Sequence, residues 1–147
     1  SRLMTRKLAD TPRALWASPD YLARKGTPQT PEDLAQHDAV LFRKGLHSDW
    51  TLSRGEESVT VRVDGPFAAS GGDNLVQAGL AGLGILMAPS WLVSGCVTEG
   101  QMVRILPDWE MESLPVNCVW TAGRLRGKTK LFADHITEEL KLAMSHC

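Results

Sequence analysis

The stretch Leu75–Val93, LVQAGLAGLGILMAPSWLV, decides the fold. Its first half has the spacing of an amphipathic helix, with Leu75, Ala78 and Gly79 to one side and Val76 at the edge. Its second half, GILMAP over Gly84–Pro89, is a continuous apolar run of strand length, the pattern of a strand covered on both faces. Gly79, Gly82 and Gly84 lie where one gives way to the other. Gly82 is the candidate for a left-handed residue ending the helix. The small residues Ala78, Gly79 and Gly82 let the helix lie close to a sheet. A strand that starts two residues after a helix stops must run directly beneath it. The helix then begins at the loop GPFAASGGD, residues 65–73.

Working outward, SPDYLARKG over Ser18–Gly26 carries a full set of helix signals: Ser18 as the cap, Pro19 in the first turn and Gly26 as the stop. TPEDLAQH repeats them, with Thr30 as cap, Pro31 following and Asp33 three residues after the cap. Extended segments are read at 2–9, 14–17, Ala39–Phe42, Trp50–Leu52, Val59–Val63, in MVRIL before Pro107, and in PVNCVW, Pro115–Trp120. A last helix is read in KTKLFADHITEELKLAM, with Phe132, Ile136, Leu140 and Met144 along one face. Strands alternating with helices predict an α/β layered fold.

Composition excludes several classes. Sixteen Lys and Arg against seventeen Asp and Glu leave a net charge of -1, which offers no electrostatic footprint for nucleic acid. No apolar run reaches the roughly 18 residues of a membrane span. The three cysteines, Cys96, Cys118 and Cys147, are scattered and form no CxxC pair, which fits a reducing, cytoplasmic compartment and no zinc or redox motif. No His-rich metal spacing occurs, and no cofactor is implied. The chain opens directly on strand-like sequence, which reads as a piece of something longer.

Residues 65–73 have a functional and a plain reading. Free N–H groups at a helix start favour an anion, and Gly71 and Gly72 admit a ligand close to the backbone. In the plain reading, Ser70 or Asp73 caps the helix.

The phrases ASPDYLARKGTPQTPEDLAQHD, LAGLGILMAPSWLV and VTEGQMVRILPDW, with PVNCVW after them, resemble the effector-binding domain of LysR-type transcriptional regulators. Order and spacing match over nearly the whole chain, as does the final helix after GRLRGKTK. The resemblance implies a periplasmic-binding-protein-like fold, two α/β lobes joined by two crossovers with a small-molecule effector in the cleft. On this sequence it implies the end of the first lobe and the first crossover at 1–17, the second lobe at 18–121, and the second crossover and returning helix at 122–147. It implies effector contacts from Trp16, Ala17 and Ser18, and from Pro66, Phe67, Ala69, Ser70 and Gly71. Phe67 would be an apolar wall, and Ser70 with nearby N–H groups would receive a carboxylate. The implied partners are that effector and further copies of the protein in a dimer or tetramer, with no membrane. DNA would be met only through an N-terminal winged helix-turn-helix that is not among residues 1–147.

Three rival readings are weaker. A transporter's solute-binding protein shares the fold but not the phrases. AASGG, 68–72, resembles a nucleophile elbow with Ser70 as nucleophile and Asp108 or Asp134, then His135, downstream; adjacent helical residues such as Asp134 and His135 point to different faces. GRLRGKT, Gly123–Thr129, has three residues between its glycines where a phosphate-binding loop needs four.

Overall fold

The computed structural model describes residues 3–42 and 47–121. Along the chain the elements are β1 (Leu3–Thr11), β2 (Arg13–Ala17), α1 (Pro19–Lys25), a 3-10 helix (Pro31–Gln36), β3 (Asp38–Phe42), β4 (His47–Arg54), β5 (Glu57–Ala69), α2 (Gly72–Leu80), β6 (Leu86–Pro89), α3 (Ser90–Thr98), β7 (Val103–Ile105), β8 (Glu110–Met111) and β9 (Leu114–Thr121). The segment read as a C-terminal helix, GRLRGKT, Asp134 and His135 all lie outside the described residues.

The chain forms two compact units, residues 1–12 with 113–147, and residues 13–112. In the first, β1 and β9 pair antiparallel, with Leu3 opposite Thr121 and Thr11 opposite Leu114. The strand read in PVNCVW therefore belongs with the N-terminal strand, while β2 belongs to the second unit.

The second unit is built on a mixed sheet. Strand β5 lies between β3, parallel to it, and β4, antiparallel, and β8 borders β4. Strand β2 lies antiparallel between β6 and β7. A parallel bridge between Ala39 and Ile85 joins the two sheets, with Val40 N–H donating to the Ile85 carbonyl at 2.8 Å and Ile85 N–H to Asp38 at 2.9 Å. The order across the unit is thus β8-β4-β5-β3-β6-β2-β7.

Alternation along these strands sorts the core into two layers. Leu15, Ala17, Ala39, Leu41 and Ile85 pack with Tyr21 and Leu34, beneath α1 and the 3-10 helix. Ala14, Trp16, Val40, Leu86 and Ala88 pack with Leu75, Val76 and Val93, beneath α2 and α3. Strands β2, β3 and β6 are therefore buried on both faces, as the apolar run GILMAP predicts.

The opening stretch folds as read, with one addition. Helix α2 stops and Gly82 turns at φ 77°. A methyl on Gly79 would collide with Leu86 and Met102, so the helix lies on the strand that follows it. A methyl on Gly84 would stand 2.6 Å from the Asp38 carbonyl, so Gly84 lets the chain slip in beside β3. The addition is α3. SWLVSGCVT is rich in β-branched residues and holds Gly95, a poor helix by propensity, and tertiary packing of Val93 overrides it. Trp91 sits on the outside of this helix, 44% exposed.

Candidate functional site

Strand β5 runs on through GPFAA, which the sequence presents as a loop. Val59, Val61 and Val63 face the layer under α1, as their alternation predicts. Ala69, an even number of residues further on, faces the other layer. The change of face comes from a bulge. Asp64 opposes Asp38 and Phe67 opposes Val40, so Gly65 and Pro66 share the place opposite Ala39. Gly65 is needed because a methyl there would overlap the Ala39 carbonyl. Pro66 fits because a bulge spares it the ladder bond it cannot donate.

Beyond the bulge, Phe67 lies on the same face as Val40 and Ala69, but at the open end of the sheet, where it is 45% exposed. Phe42, opposite Ala69, is its diagonal neighbour on the adjacent strand and is 49% exposed. The sequence reading missed Phe42; its signal is the last position of a strand paired to the site strand. Pro66 and Ser70 are exposed and Gly71 half-buried. Gly71 is the N-cap of α2, and no side chain caps it. The cap read at Ser70 or Asp73 is not made, and Gly72, the first residue of the helix, lies close to Leu92 of α3.

The crossover residues are placed differently. Trp16 is buried in the cluster that includes Ala69, and its ring N–H donates to the Ala88 carbonyl at 3.1 Å. Ala17 is fully buried on the opposite face. Ser18 is buried and its Oγ accepts from Tyr21 N–H at 3.1 Å, which is the α1 cap its sequence predicts. Ser18 also lies by Gly82, at the C-terminal end of α2. The nine residues of α2 span about 14 Å, which separates Ser18 from Ser70.

Helix α1 is tied down by a polar network. Asp38 N–H donates to the Tyr21 hydroxyl at 3.1 Å, and that hydroxyl lies 2.8 Å from His37 Nδ1. The Tyr21 proton satisfies His37 when the imidazole is neutral, with its own proton on Nε2. Burial holds the His37 pKa below its usual value and the Tyr21 pKa above its own. Arg24 donates to the Gly82 carbonyl at 2.5 Å and fixes the turn after α2. Asp33 accepts from the Gln29 and Thr30 N–H groups at 2.9 and 3.1 Å, which lowers its pKa.

No group of His, Cys, Asp and Glu among the described residues has metal-binding geometry. No helix among them is long and apolar enough to cross a membrane.

Known proteins place this architecture. The chain is 31% identical over 143 residues to the regulator CrgA of Neisseria meningitidis, covering 95% of this chain and 48% of that protein. It is 31% identical over 104 residues to the transcriptional activator TtdR of Escherichia coli K12, covering 69% and 34%. It thus spans less than half the length of these curated relatives. Among solved structures, the CrgA regulatory domain superposes with TM-score 0.78 at 31% identity, covering 94% of this chain and 69% of that one. The AphB regulatory domain of Vibrio vulnificus gives 0.75 at 27% identity, covering 92% and 68%. These neighbours have the periplasmic-binding-protein-like fold, and the relatives are transcriptional regulators, not enzymes. Residues 1–141 match the LysR substrate binding domain, and the chain belongs to that family.

Proposed function

We propose that this chain is the ligand-sensing part of a LysR-type regulator and that its effector docks at the end of β5. The carrying observation is the end of β5 and the start of α2, where the exposed Phe67 ring, the exposed Ser70 and an uncapped helix start stand together. Phe67, with Phe42 beside it and Pro66 before it, forms the apolar wall. Ser70 and the first N–H groups of α2 receive a carboxylate or similar polar group. Trp16 and Ala69 form the buried floor. Ala17 and Ser18 act by fixing the start of α1 and the end of α2. The second lobe, read from the sequence as 18–121, is proposed as the unit of residues 13–112, with β9 counted to the first lobe. DNA binding falls to a helix-turn-helix domain outside these residues, and the working protein is a dimer or tetramer in the cytoplasm.

A thermal-shift screen against carboxylates, amino acids and sugars tests this. A ligand at about 100 times its Kd adds about 2.7 kcal/mol. Ser70→Ala and Phe67→Ala should each weaken that response. Variants that respond like the parent would sink the assignment of this site.

A further inference from the structure

A second cavity lies at the other end of the same strand. It occupies about 210 Å³ between the loop after α1, the β4–β5 turn and the segment from β7 to β8. From Glu57, at the turn, to Phe67 the chain climbs ten residues of strand, about 33 Å, so this cavity is remote from the proposed effector turn.

Its walls set two arginines and a carboxylate around Leu106, Pro107 and Trp109. Arg54, at the end of β4, lies over the Trp109 ring, 4.6 Å from the ring centre, and 3.3 Å from Glu57. Arg104, on β7 opposite Trp16, also lines the cavity, and its exposed guanidinium makes no hydrogen bond or ion pair among the described residues. Asp108 is the carboxylate in the lining. Leu106 has φ 51°, a conformation rare for a leucine, and it turns the chain so that Trp109 comes back beneath Arg54. Burial of Leu106 and a 3.0 Å bond from Trp109 N–H to its carbonyl hold that turn. On the facing wall, Gln29 is fixed by its own N–H bond to Asp33. A non-glycine residue held at positive φ is a conformation that clusters at ligand sites.

We propose that this cavity is a second ligand site, taking a small metabolite through carboxylate or phosphate oxygens held between Arg54 and Arg104. Planar guanidinium groups match both oxyanions. The volume equals that of about seven water molecules, room for a small acid. Asp108 opposes binding of an anion, and the more strongly the higher its charge.

The test is a titration of the whole ¹⁵N-labelled chain, following the Nε–H resonances of Arg54 and Arg104 and the indole N–H of Trp109. Sodium succinate and sodium phosphate are the probes, with sodium chloride at equal ionic strength as the reference. Saturable shifts with either probe, absent with chloride, are expected, and the probe that saturates names the oxyanion. Arg104→Gln should weaken binding about tenfold or more, the loss of one charge-assisted contact. Asp108→Asn should tighten it, which a purely structural role would not produce. Ser70→Ala should change nothing. Shifts equal to those with chloride, shifts that never saturate, or saturation unchanged in Arg104→Gln would overturn the proposal. So would saturable shifts confined to Phe67–Gly71, with none at Arg54, Arg104 or Trp109.

Discussion

At Gly65 a methyl group would fall on the Ala39 carbonyl, and Ala39 is itself the residue that bridges β3 to Ile85. Gly84 makes a matching close approach to Asp38 from the other side. Two glycines thus clasp the start of β3. Gly65→Ala should cost about 3 kcal/mol, the upper range for overpacking, because backbone rather than a flexible side chain must move. A drop in the denaturant midpoint at constant slope would show it. Tyr21→Phe tests the polar network. It removes the partner of the part-buried N–H of Asp38 and should cost about 1 kcal/mol, read the same way. These two requirements differ in legibility. A glycine between Asp64 and Pro66 announces a bend, but the atom it must avoid lies 26 positions away in the chain and no local pattern names it.

At the scale of elements, α1 and α2 hold each other's ends. Ser18 caps α1 and stands by Gly82; Arg24 of α1 holds the Gly82 carbonyl. Ser18→Ala should therefore lower stability by about 1–2 kcal/mol, the cost of a lost cap, checked by thermal melting. If Ser18 acted only as an effector contact, the melting temperature would not move. Elements with their own chemistry were legible: α1 through Ser18, Pro19 and Gly26, and β5 through Val59, Val61 and Val63. Helix α3 was not, because its propensity is poor and its helicity comes from Val93 packing under it. The latter half of β5 was not, because Gly65 and Pro66 read as loop residues until their bulge is seen against β3.

At the scale of the whole molecule, the ion pairs found among the described residues, Asp20–Arg24, Glu57–Arg54 and Asp49–Arg62, are at least half exposed and contribute little. The pH dependence should come instead from the buried network and its neighbours. The folded His37 pKa lies below 6.5, so the unfolded chain takes up that proton first, and stability is present above 6.5 and declines as pH falls below it. Asp33, held below 3.8, keeps its contribution above 3.8 and loses it as pH falls through its lower folded value. The folded Tyr21 pKa lies above 10, so its contribution is full below 10 and lost as pH rises past it. Denaturant unfolding across pH should show all three declines, and Tyr21→Phe should abolish the alkaline one while leaving the Asp33 one. By itself the sequence determined the α/β class, the Ser18 cap of α1, the helix-to-strand turn at Gly82 and the family, because each is written in neighbouring residues or in phrases with fixed spacing. Only the tertiary structure decided that β5 changes face, that Phe42 joins Phe67, that Trp16 is spent on the Ala88 carbonyl and that Ser18 and Ser70 lie at opposite ends of α2. Those facts depend on which strands become neighbours, and strand pairing is set by burial of both faces at once, not by any local run of residues.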